Sequence, residues 1–112
     1  MKINHKLSDI KKQISKCGRE ARTVMTFVRC HLDICPIDSD NNRLDDIEIT
    51  NLELSELTMK RIKSEVEYYM KNDECSSVSL DVRYDGVDSL KDWEFGDYEA
   101  FIAETDIELW RK

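Results

Sequence analysis

Glycine and proline are scarce in this chain: among 112 residues there are three glycines, Gly18, Gly86 and Gly96, and one proline, Pro36. That scarcity leaves no candidate for a flexible linker. None of the glycines lies in a GxGxxG or GK(S/T) context, so the usual signal of a phosphate-cradling loop is missing. No internal repeat is visible. No uninterrupted apolar run reaches the length of a secretory core or a membrane span, and the expectation is a cytoplasmic protein without membrane contact. In that compartment Cys17, Cys30, Cys35 and Cys75 are expected to be thiols.

What is present is charge. Charged residues make up 37% of the chain, well above the roughly one quarter of an average protein, so a folded domain with a heavily solvated surface is expected. The net charge of -7 is segregated along the sequence. Residues 1–30 carry eight Lys or Arg against Asp9 and Glu20, a balance of +6, and residues 31–58 carry Arg43 against eight acids, a balance of -7. Residues 59–72 balance to +2 and residues 73–112 to -8. A basic arm on an acidic body suggests contact with nucleic acid or membrane, or packing of the arm against acidic surface in the same or another copy.

The apolar residues Ile3, Leu7, Ile10, Ile14, Cys17, Ala21, Val24 and Val28 are spaced alternately by four and three, which predicts one long helix. Pro36 disfavours helical geometry at Cys35, so the helix is expected over 1–34, with Gly18 a site of bending or close approach. The run Ile37–Asn42 reads as a loop; Ile47 and Ile49 alternate with acids as in a strand. Met59, Ile62, Val66, Tyr69 and Met70 recur at helical spacing and predict a second helix over 55–72. Val78, Leu80, Val82 and Tyr84 alternate with Ser77, Ser79, Asp81 and Arg83, the clearest strand signal in the chain. Trp93–Tyr98, with Gly96, reads as a hairpin, and 106–112 as either strand or helix. The expected fold is α+β over 1–112: a long basic amphipathic helix, an acidic segment with a possible strand at 35–54, a second helix, and a small, mainly antiparallel sheet over 76–112 with a C-terminal hairpin.

Motifs for chemistry fail on inspection. Asp38, Asp40 and Asn42 mimic the start of a calcium loop, but Arg43 stands where its glycine belongs and Ile49 where its bidentate glutamate belongs. Cys30, His31 and Cys35 are soft ligands without a CxxC pair. No cysteine sits in a local catalytic signature with His5 or His31. Neither enzyme activity, metal nor cofactor is expected.

The acidic C-terminal part, with Asp92, Glu94, Asp97, Glu99, Glu104, Asp106 and Glu108, suits a regulator or inhibitor that fills a basic groove on another protein, one that otherwise holds nucleic acid. Asp92, Trp93, Glu94, Asp97 and Glu99 are the expected partner-binding residues, with Trp93, Tyr98 or Trp110 as aromatic anchors. A homodimer is expected through the apolar seam of the first helix, at Leu7, Ile10, Ile14, Cys17 and Ala21. The alternative is a nucleic-acid-binding module that lays Lys6, Lys11, Lys12, Lys16, Arg19 and Arg22 along phosphates, though no nucleic-acid-binding fold motif accompanies them.

Overall fold

The computed structural model describes residues 7–45, 47–50, 56–89 and 99–112, excluding the side chains of Leu7, Thr50, Glu56 and 99–102. Helix α1 (Leu7–Arg22) is followed by strands β1 (Phe27–Asp38) and β2 (Ile47–Thr50), then by helix α2 (Glu56–Met70) and strands β3 (Cys75–Val87) and β4 (Glu99–Arg111). The strands form one antiparallel sheet in the order β2-β1-β3-β4. The α+β expectation holds, with the second helix and the Val78–Tyr84 strand where the periodicities place them.

The long first helix does not extend to residue 34. It ends at Arg22, where the amides of Val24 and Met25 both donate to the Ala21 carbonyl and the Thr23 hydroxyl donates to the Glu20 carbonyl. From Phe27 the side chains alternate: Cys30, Leu32, Ile34 and Pro36 are buried, and the β-branched and aromatic residues there favour extended backbone. Val24 and Val28 prolong the helical spacing by coincidence. Pro36 lies inside β1 and terminates nothing. Its carbonyl accepts from Leu44 N on the side away from β3, so its missing N–H falls on that side too, beyond the reach of the four-residue β2.

Both helices cover one face of the sheet. Ile10, Ile14, Cys17 and Ala21 of α1 and Met59, Ile62, Val66 and Tyr69 of α2 join Leu32, Ile34, Ile49, Val78, Leu80, Val82, Ile107, Leu109 and Trp110 in one core cluster. Gly18 permits the closest helix–sheet approach: a Cβ there would stand 2.8 Å from Tyr84 Oη. That hydroxyl donates to the Ile14 carbonyl at 3.2 Å. The close approach expected at Gly18 is observed, within an uninterrupted helix.

The element order is an αββ unit repeated. The shift that carries Phe27, the start of β1, onto Cys75, the start of β3, also carries Ile14 onto Ile62, Ala21 onto Tyr69 and Leu32 onto Leu80, and each of these is buried. It carries Asp33 onto Asp81, which are directly paired across β1 and β3. A local two-fold axis therefore passes between these two aspartates.

Candidate interaction surface

The sheet face turned away from the helices is polar, and its register produces an arrangement that sequence order hides. Glu48 of β2 pairs with Asp33 of β1, Asp33 with Asp81 of β3, and Asp81 with Asp106 of β4. One row of carboxylates therefore crosses all four strands, with neighbouring Cβ atoms about 5 Å apart. Like charges placed opposite each other destabilise a sheet, so folding alone does not favour this row. It is partly compensated. Asp33, 5% exposed, accepts from Arg43 Nη2 at 2.5 Å and Arg83 Nη2 at 3.1 Å. Asp81 has Arg83 Nε at 3.5 Å. Burial first, and the neighbouring Asp81 second, hold the Asp106 carboxyl above the usual aspartate range.

A second cluster sits beside the row. Buried Asp85 accepts from Arg29 Nη2 at 3.1 Å and lies 3.2 Å from His31 Nε2, while Glu48 lies 3.8 Å from His31 Nδ1. Toward the β4 edge, Glu104 and Glu108 flank Asp106 on the same face, opposite Arg83 and Ser79 of β3, and Glu108 pairs with Arg111 at 2.7 Å. Ser77, Ser79, Asp106, Glu108 and Arg111 line an open depression of about 300 Å³ that reaches Asp38 and Ser39.

The opposite surface has the opposite sign. Lys12, Lys16, Arg19 and Arg22 of α1 and Lys60, Arg61 and Lys63 of α2, with Lys71 just beyond it, are all exposed. Among the described residues, exposed base is thus concentrated on the helix layer and acid on the open face of the sheet. Leu57 and Tyr68 of α2 are also exposed, at 78% and 66%.

The residues expected from sequence to bind a partner fare unevenly. Asp92, Trp93, Glu94, Asp97 and Tyr98, on which the expected hairpin falls, lie outside the described residues. Glu99 begins β4, and its side chain is not described. Trp110 is a core residue, 2% exposed, and is no surface anchor. The dimer seam is corrected as well: Ile10, Ile14, Cys17 and Ala21 are at most 3% exposed within their own chain, covered by the sheet and α2, so the seam needs no second copy. The Leu7 side chain lies outside the described set. Asp38 holds its own loop together, its Oδ1 accepting from the amides of Asp40 and Asn42, each at 2.9 Å. The four cysteines are free, and burial raises each thiol, Cys17 to about 11.

Among the described residues no group of three or more His, Cys, Asp or Glu is gathered closely enough to hold a metal ion, and no helix is long and apolar enough to cross a membrane. Comparison of the chain with protein-family models, with curated proteins and with solved structures finds no match.

Proposed function

We infer that this chain is a non-enzymatic protein-binding module, a regulator or inhibitor, whose acidic sheet face engages a basic protein. The observation that carries the reading is the row Glu48, Asp33, Asp81 and Asp106. Opposed carboxylates cost stability in the free protein, and a cationic partner is what turns that cost into affinity and selectivity. Neutralising the row should therefore separate folding from binding. The Asp81→Asn/Asp106→Asn double variant is expected to be at least as stable as the wild type and to lose its partner. The test is affinity capture from native lysate with wild type and variant, with and without nuclease, followed by mass spectrometry. A basic protein retained by wild type, lost by the variant and indifferent to nuclease supports the reading. Equal capture by both removes it.

A second reading rests on the helix layer, where eight Lys and Arg are exposed. Such a surface suits phosphates, with salt-sensitive and sequence-independent affinity. Capture that disappears with nuclease and with a Lys12→Gln/Lys16→Gln/Arg19→Gln variant would favour nucleic acid as the partner.

A further inference from the structure

Strand β4 is thirteen residues long and lies at the end of the sheet; among the described residues only β3 pairs with it. The opposite edge differs: β2 is four residues long and covers His31–Ile34 of β1. A long edge strand presents every second backbone N–H and C=O outward, and these groups can accept another extended chain.

We propose that β4 is a strand-addition site for an extended, basic segment of the partner protein, with Lys or Arg at alternate positions. This proposal rests on the acidic-face reading above and names how the partner is held. A fifth strand beside β4 places its side chains in register with Glu104, Asp106 and Glu108, which share the open face. The residue opposite Asp106 continues the row that begins at Glu48, and a cation there meets carboxylates that the sheet itself leaves crowded. On the other face the core side chains Ile107 and Leu109 are already covered, so the incoming segment is selected mainly by its backbone and its cationic side.

A second copy is the wrong occupant. In a symmetric antiparallel β4 pair whose two-fold falls within Glu104–Glu108, acids meet acids: Asp106 opposes itself and Glu104 opposes Glu108 when the axis passes through Asp106, and Asp106 opposes Glu104 or Glu108 when it passes through Thr105 or Ile107. The same three side chains that repel a copy of this strand attract a lysine-bearing one.

The test uses the full chain and a short synthetic peptide of alternating lysine and valine, with the same peptide N-methylated on every residue, so that neither edge can donate, as its partner probe. The methylated form keeps every charge and loses the ability to form a ladder. Binding is read by isothermal titration and by hydrogen exchange of β4 amides. The unmodified peptide is expected to bind, to slow exchange at alternate amides of 103–109 by about tenfold or more, and to lose about tenfold in affinity in a Glu104→Lys/Glu108→Lys variant. The methylated peptide is expected not to bind. If both peptides bind equally, strand addition is overturned while the acidic-face reading stands. If neither binds and exchange is unchanged, the acids merely guard the edge and the proposal falls. Concentration-dependent dimerisation with protection of β4 in the absence of peptide would overturn it in favour of a second copy. Failure of the acidic-face reading registers separately, as partner capture that ignores the Asp81 and Asp106 substitutions.

Discussion

The two αββ halves of the chain follow one order of elements, and at the place where they meet their side chains are treated unequally. At the local two-fold both halves supply an aspartate. Asp33 is buried and held by two arginines, whereas Asp81 keeps 37% of its side-chain exposure and has the longer contact to Arg83. Two identical charges facing each other cannot both be buried with the same pair of counter-ions. The symmetry of the backbone is therefore broken by giving one half the inner ion-pair site and the other the solvated one. Similar backbone positions thus carry unequal energetic roles, and substitutions at matched positions in the two halves measure that inequality.

The largest difference is expected at the axis itself. Asp33→Ala removes the acceptor shared by Arg43 and Arg83 and should destabilise the fold by about 3 kcal/mol, the scale of breaking a buried pair from one side. Asp81→Ala removes a charge that is repelled by both of its neighbours in the row, and should fall within about 0.5 kcal/mol of wild type, or above it. Urea midpoints at neutral pH compare the two. Equal losses would mean that the halves share the network evenly and that the asymmetry in the ion pairs carries no energy.

A smaller contrast lies in the helices. The shift that relates the halves places Gly18 of α1 over Val66 of α2, and Tyr84 of β3 over Pro36 of β1. Both helix positions are buried. One half needs the absence of a side chain and the other its presence. Gly18→Ala gains about 1 kcal/mol of helix propensity but drives a methyl into a buried tyrosine ring, for a net loss of roughly 1 kcal/mol. Val66→Ala opens a void and should cost about 2 kcal/mol. Tyr84→Phe removes the atom nearest to the new methyl, so it should lessen the Gly18→Ala penalty in a double-mutant cycle. Additive losses would place the strain elsewhere than at Tyr84.

The halves were not visible as a repeat in the sequence because they share polarity and spacing more than residue identity: Cys30 stands where the second half has Val78, and Ala21 where it has Tyr69. Local periodicity did reveal α2 and β3, whose apolar residues follow one period over Met59–Tyr69 and Val78–Tyr84. It failed between Val24 and Pro36, where a three-four spacing continued past the true helix end and concealed the alternation of β1. The acidic row was legible only as separate acids. Glu48, Asp33, Asp81 and Asp106 come from four distant segments, and their alignment depends on strand order and register, which no local pattern encodes. Of the expected seam, Ile10, Ile14, Cys17 and Ala21 do line one side of α1, but the residues that suggested a second copy are covered by strands of their own chain.

The smallest effect concerns the two ends of the row, Glu48 on β2 and Asp106 on β4. Asp106 faces Asp81, and its carboxyl is raised from the ordinary value of 3.8, by burial first and by that neighbour second. A carboxyl raised in the folded state is a liability when ionised: folding is penalised in full above the folded pKa, and the penalty disappears below 3.8, where both states hold the proton. Asp106→Asn should therefore raise the melting temperature at pH 7 and lose that advantage progressively on acidification toward pH 3.8. Water screens this exposed group, so the gain is at most about half a kcal/mol. Glu48 faces Asp33, which two arginines already cover, and has His31 Nδ1 at 3.8 Å, so Glu48→Gln relieves little repulsion and should bring no comparable gain. Thermal melts of both variants across pH 3 to 8 compare the two ends. A gain for Glu48→Gln matching that for Asp106→Asn would show that the arginines on Asp33 do not shield their end of the row, and the asymmetry between the halves would then stop at the axis.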